Sequence, residues 1–177
     1  LNYLKIDNFL ELKKNFPNIK DDIIFENQKI KFEYKKNNIN IIGFGDVFLQ
    51  DELDIISYNI KKDNKDFFFD IDLKISKNPF LINILNYEKN EKTNLDLVLK
   101  GKSNKDEIFI KEFSLFENDN TLSIKDLQLT NNYKLDNIGN IQIDYIDKEN
   151  FDNKINIIKD NKDYKIVGDS FNINNLI

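Results

Sequence analysis

At 177 residues with 40% hydrophobic content, the chain is long enough to bury one sizeable core, and a single domain is the default at this size. Its 26 Lys plus Arg against 31 Asp plus Glu leave a net charge of −5, and the cations are scattered along the chain rather than gathered on one segment. That balance argues against a nucleic acid partner, and the absence of Cys and His removes disulfides, thiolate metal sites and the commonest catalytic base.

The chain also lacks Ala and Arg and is rich in Ile, Phe and Tyr, a tilt away from helix and towards strand. One helix is expected near the start. In "DNFLELKKNF" (7–16), Phe9, Leu10, Lys13 and Phe16 stand at helical spacing, with Asp7 as N-cap and Pro17 just beyond the end. Residues 1–26 are therefore read as a short helix and linker, and residues 27–177 as sheet. A start at Leu1 with no basic segment and apolar stretch behind it is expected of a piece of a longer protein, any signal or anchor lying upstream. No run approaches the roughly 20 apolar residues of a membrane span.

From residue 30 the period is two. Ile30, Phe32 and Tyr34 alternate with Lys31, Glu33 and Lys35, and the pattern returns at Phe67, Phe69, Ile71, Leu73 and Ile75, at Leu95, Leu97 and Leu99, and at Ile141, Ile143 and Tyr145. Twice the phase slips by one, from Ile108 and Ile110 to Phe113 and Leu115, and from Leu122 and Ile124 to Leu127 and Leu129. A bulge in each strand restores the apolar face, so bulges are expected near Lys111-Glu112 and Lys125-Asp126. The polar turns between strands ("KKNN", "KKDNKD", "ENDN", "KDNKD") are too short for parallel crossovers. The fold class is mainly β: a long antiparallel meander of about ten strands.

Three motifs invite a chemical reading. Gly43-Phe44-Gly45 lacks both the third glycine and helix of a dinucleotide site and the Gly-Lys-Ser/Thr of a phosphate loop; within a strand the pair marks curvature or close approach. Asp70 and Asp72 share a strand face with Lys74, the solvated face. Glu117, Asp119 and the neighbouring asparagines lack the glycine and distal Glu of an EF-hand loop. No catalytic residue, metal site or cofactor is nominated, and the chain is not expected to be an enzyme; a carboxylate-dependent hydrolase would need an acidic pair that nothing singles out.

A long meander with one apolar face must curl, pack against a second sheet, or offer that face to something else, because one short helix covers little of it. The stretch "INIIGFGDVFLQDELDIISYNIKKDNKDFFFDIDLKI", the ending "YKIVGDSFNINNLI" and the opening "FLELKKNFPNI" resemble a unit of the large periplasmic AsmA-like proteins of the YhdP type. The resemblance implies a curved β-groove, taco-like in section, repeated along a bridge that is anchored in the inner membrane outside this segment. It implies a role in carrying phospholipid acyl chains towards the outer membrane and maintaining the envelope, with neighbouring groove segments of the same longer chain as partners. The residues expected to line the groove are Phe32, Tyr34, Phe67, Phe69, Ile71, Leu73, Leu95, Leu97, Leu99, Ile108, Ile110, Ile141 and Ile143; each serves equally well as ordinary core. The alternative is a closed β-sandwich, an adhesin or scaffold module acting through its polar surface.

Overall fold

The computed structural model describes residues 1–8 and 12–174. Its strands are β1 (Tyr3–Asp7), β2 (Asp22–Lys35), β3 (Asn38–Phe48), β4 (Asp54–Asp63), β5 (Asp66–Ile75), β6 (Leu81–Ile82), β7 (Tyr87–Glu88), β8 (Leu95–Ser103), β9 (Glu107–Glu117), β10 (Asn120–Thr130), β11 (Leu135–Asn137), β12 (Asn140–Ile146), β13 (Asp152–Asp160) and β14 (Asp163–Ser170). All but β6 and β7 form one 12-stranded sheet in the order β1-β2-β3-β4-β5-β8-β9-β10-β12-β13-β14, with β11 also on β10. Every pairing in it is antiparallel. The meander expected from the short polar turns is there, and the sheet is open: among the described residues β1 and β14 are its two edges.

Tight turns set the registers. Lys35 pairs with Asn38, Asp63 with Asp66, Glu117 with Asn120 and Asp160 with Asp163, leaving two-residue loops. Lys36, Asn37, Asn64, Asn118 and Asn161 in these loops have positive φ. Asparagine tolerates the left-handed region better than most residues, so a chain poor in glycine still makes hairpins.

Both bulges read from the phase slips are found. Lys111 and Asp126 drop out of the β9–β10 pairing, the register of β8 against β9 shifts between Lys100 and Gly101, and Asp126 has φ 54°. Ile110 and Phe113 thereby return to the same face despite their odd spacing.

No described residue of the expected N-terminal helix is helical. Phe9 and Leu10 lie outside the described residues, but Asn15 N and Phe16 N both bond to Leu12 O, at 2.9 and 2.8 Å, closing a single turn. Tertiary contacts outweigh the helical spacing there: Asn15 exchanges bonds with Leu81 through its side chain and its carbonyl, and the Phe16 ring meets Phe80 edge-on at 5.1 Å. Nor is the segment 1–26 a linker, since β1 pairs residue by residue with Asp22–Glu26 of β2. The described residues contain one 3-10 turn, Asn83–Leu85, and no α-helix.

The core sits on one face of the sheet, at one end of its strands. Phe16, Ile19, Ile75, Phe80, Tyr87, Leu95, Leu115, Leu122, Ile143, Tyr145 and Ile155 form a single buried cluster. The sheet supplies one side of it. The turn at 12–19 and the insertion from Ser76 to Asn94, which carries the β6–β7 ribbon, supply the other.

Candidate functional site: an apolar face covered at one end

Because side chains alternate, Cα partners across an antiparallel sheet share a face. One rung runs Phe32–Ile41–Ile60–Phe69–Gly101–Ile110–Leu127. The next runs Ile30–Gly43–Tyr58–Ile71–Leu99–Phe113–Ile124–Ile141–Ile157–Ile166, and a third Gly45–Ile56–Leu73–Leu97–Leu115–Leu122–Ile143–Ile155–Gly168. Tyr34, Phe67 and Ile108 lie on an outer rung, Ile75 and Leu95 on an inner one. The register thus places all the residues expected to line a groove on one surface.

They do not share one environment. Along β5 the exposure rises from Ile75, at 0%, through half-buried Leu73, Ile71 and Phe69 to Phe67, at 41%. Leu95 and Ile143 lie beneath the covering loops and are core. Phe32 and Tyr34, at 61% and 68%, stand in the open. Leu97, Leu99, Ile108, Ile110 and Ile141 are half-buried. What divides them is the cover, which reaches only the end of the face where the strands meet the 12–19 and 76–94 loops.

That cover is locked by a buried polar network. Gln50 donates to Pro79 O at 2.9 Å and accepts from Asn18 N at 3.1 Å. Asn78 donates to Asp54 Oδ2 at 2.7 Å and Ser76 N donates to Asp54 Oδ1 at 3.1 Å. Burial pushes the Asp54 carboxyl up, and those two bonds oppose the shift. Glu117 accepts from the Tyr87 hydroxyl and from Asn90 N, each at 2.7 Å, and from Thr93 Oγ1. Burial, then the bond to Glu117, raise the Tyr87 phenol well above its usual range. Buried Lys89 donates to Ser76 O and Asn90 O; burial lowers its pKa against the pull of Glu117 and Asp54. Asn78–Asp54 and Tyr87–Glu117 hold the insertion to the sheet, Gln50 ties it to the 12–19 turn, and Lys89 bonds within it, which makes the cluster a clamp. No group of three or more metal-ligating side chains occurs among the described residues.

Gly43 and Gly45 are explained by the same face. A Cβ at Gly43 would overlap the Tyr58 ring, and one at Gly45 would overlap the side chain and Cα of Gln28. Gln28 sits in a bulge of β2, where the register against β3 shifts between Glu26 and Lys29 and Asn27 has φ 52°. Its side chain crosses Gly45 to donate to Asp46 O at 2.8 Å, and the Tyr58 hydroxyl lies 3.4 Å from Gln28 Oε1. Close approach, the reading taken from the glycines alone, is realised by side chains folding over bare backbone.

The opposite face is mixed: it is laced with ion pairs, among them Lys100–Asp70 and Lys74–Asp96, both at 3.5 Å, Asp72 accepts from Ser57 at 3.3 Å, and between these groups it exposes Ile42, Phe44, Phe68 and Phe116. Two shallow hollows indent that face. One of about 520 Å³ is lined by Glu33, Asn40, Asn59, Lys61, Phe68 and Asp70; one of about 380 Å³ has Phe44, Ile55, Ser57 and Asp72 on its walls.

The sequence did not disclose the cover. The available signal was length: the stretch between Ile75 and Leu95 exceeds the polar turns and carries Phe80, Leu81, Ile82, Leu85 and Tyr87. No helix among the described residues is long and apolar enough to cross a membrane. Compared with protein-family models, curated proteins and solved structures, the chain has no match.

Proposed function

We propose that this chain is a segment of an AsmA-like envelope protein that carries phospholipid acyl chains along the uncovered part of its apolar face, between inner and outer membranes. The observation that carries the reading is the continuity of the apolar rungs from Phe32 to Leu127 and from Ile30 to Ile166, with Phe32, Tyr34 and Phe67 exposed at its open end. A monomer rarely leaves a large contiguous apolar patch open without a use for it.

The dimensions suit such a cargo. The strands on the sheet's main path number 11, and at about 4.8 Å between neighbours they span about 48 Å. An acyl chain in one leaflet is roughly 15 Å long. Transfer of about sixteen carbons from water is worth at most about 13 kcal/mol at about 0.8 kcal/mol per CH₂. Repeated shallow contacts, rather than one deep pocket, are what a conduit needs. In this reading the protein is periplasmic, is anchored to the inner membrane by a part outside this segment, and continues into neighbouring groove segments.

The closed sandwich is less favoured, because the described residues hold one large sheet and a two-stranded ribbon where a sandwich needs two sheets face to face. A photo-crosslinking amino acid at Phe69, on the open part of the face, separates the two. Recovery of a phospholipid adduct at Phe69 well above that at Asp72, which points to the other face, is expected; equal labelling at the two sites would defeat the lipid reading.

A further inference from the structure

We propose that two hairpin tips at the open end of the apolar face, β4–β5 and β13–β14, are sites for the anionic headgroup of a phospholipid. Lys62 and Lys65 supply the cations at the first tip, Lys159 and Lys162 at the second. These sites rest on the acyl-chain reading above and add the kind of head that such a chain carries.

Both tips are built from one motif. Lys62-Asp63-Asn64-Lys65-Asp66-Phe67 and Lys159-Asp160-Asn161-Lys162-Asp163-Tyr164 differ only in the final aromatic, and they fold alike. Asp63 pairs with Asp66 and Asp160 with Asp163 around a two-residue Asn-Lys loop. Asn64 and Asn161 have φ 53° and 59°, and each donates its side-chain amide to the preceding aspartate, at 3.0 and 3.1 Å.

Alternation sorts the charges of each tip by face. Lys62 pairs with Phe67 and Lys159 with Tyr164, so each lysine stands beside an aromatic residue on the outermost rung of the apolar face. The rung through Lys62 also holds Tyr34 and Ile39. The aspartates of both motifs belong to the opposite face, where Asp63 takes Lys61 at 3.2 Å. Lys65 and Lys162 stand in the loops themselves. All four lysines are exposed. Lys62, Lys65 and Lys162 make no ion pair among the described residues, and Lys159 donates to a neutral acceptor, Asn137 Oδ1. Each tip thus offers two cations at the margin of the apolar face, a place where a lysine stem lies along apolar surface and its ammonium meets an anion.

Tail length fits the same placement. From Phe67 to Leu73 the face stays open over about 20 Å, six steps at about 3.3 Å each, and at Ile75, 0% exposed, the cover closes it. An acyl chain of roughly 15 Å with its head at Lys62 ends short of the cover. The turns at the covered end carry Asp51, Glu52, Asp119, Asp147 and Glu149, while Lys148 among them is taken by Glu88 at 2.8 Å; that end repels the same head. A zwitterionic head would bring its own ammonium to the lysines, so a head without one is preferred.

A photo-crosslinking amino acid at Phe69, one rung inward from Lys62, reads the first tip, and one at Ile166, one rung inward from Lys159, reads the second. The full chain is mixed with vesicles of phosphatidylcholine alone or of equal parts phosphatidylcholine and phosphatidylglycerol, and adducts are identified by mass. Phosphatidylglycerol adducts are expected to exceed phosphatidylcholine adducts at both positions. K62Q and K65Q each lower the phosphatidylglycerol yield at Phe69 about fivefold, the equivalent of about 1 kcal/mol, and K159Q and K162Q do so at Ile166. K61Q, which removes the same charge from the opposite face, leaves the yields unchanged. Inorganic phosphate, set against sodium chloride of equal ionic strength, leaves them unchanged as well, since a free anion has no tail to lay on the rungs. Equal adducts from the two lipids, a loss with K61Q as large as with K62Q, or displacement by phosphate beyond the chloride control would each overturn the headgroup sites while acyl-chain carriage stands. Adducts from neither lipid would defeat both.

Discussion

The cover over one end of the apolar face separates two phenylalanines that the chain's pattern alone cannot rank, and their truncation gives a sharp contrast. Phe80 is 3% exposed and stacks edge-on with Phe16, whereas Phe32 is 61% exposed. Phe80→Ala removes a fully enclosed ring and leaves a cavity between cover and sheet, a change worth about 3–5 kcal/mol in packed cores. For Phe32, the covered share of roughly 200 Å² is about 80 Å², at most about 2 kcal/mol at ~25 cal/mol per Å², of which Ala retains part; about 1 kcal/mol is left. In a domain of this size 1 kcal/mol shifts Tm by about 2–4 °C. Calorimetry should therefore show a fall of about 6–20 °C for Phe80→Ala and about 2–4 °C for Phe32→Ala. An apolar dye should bind the first variant more strongly, since Ile75 and Leu95 lose their lid. Similar Tm shifts for the two variants would refute the idea that the insertion is docked as part of the core.

Three further outcomes follow from the buried polar groups and the glycines. Burial raises the Asp54 pKa, so its contribution is fully present below the unfolded value of 3.8 and declines as pH climbs through the folded value; Asp147 is the reverse, since bonds from Phe151 N, Asn172 and Glu149 N outweigh a burial effect that acts upward. Urea midpoints from pH 3 to about 6 should accordingly show the advantage of the native chain over Asp54→Asn narrowing with pH and that over Asp147→Asn widening; parallel curves would contradict the assignment. Glu117→Gln weakens a buried acceptor of three bonds and should cost about 1.5–3 kcal/mol in urea unfolding, with hydrogen exchange quickened at Asn90 first. Gly45→Ala forces Gln28 from its place across the β3 backbone and should cost about 1–3 kcal/mol, while Ser57→Ala on the polar face stays within about 0.5 kcal/mol; equal losses would mean that the bulge does not need the bare backbone.

How much of this was legible beforehand can be followed residue by residue. Phe67, Phe69 and Ile71 announce a strand because period two admits no other regular conformation with one wet face, and the slips after Ile110 and Ile124 located two bulges because a phase error in an alternating pattern has few remedies. The helical reading of 7–16 failed, among the described residues, for the opposite reason. Its signal was a short apolar spacing worth little in isolation, and the bonds of Asn15 to Leu81 and the packing of Phe16 on Phe80 come from a segment distant in the chain.

The candidate site divides in the same way. Alternation by itself determined that Phe32, Leu97 and Ile143 point to one face, since side-chain direction is a local property of a strand. Only the tertiary structure decided that Ile143 is core and Phe32 is open, because burial depends on what is laid over the sheet. Here that is an insertion whose hold on the sheet rests on Gln50, Asp54, Asn78 and Glu117, polar residues whose partners lie far along the chain and leave no periodic trace in it.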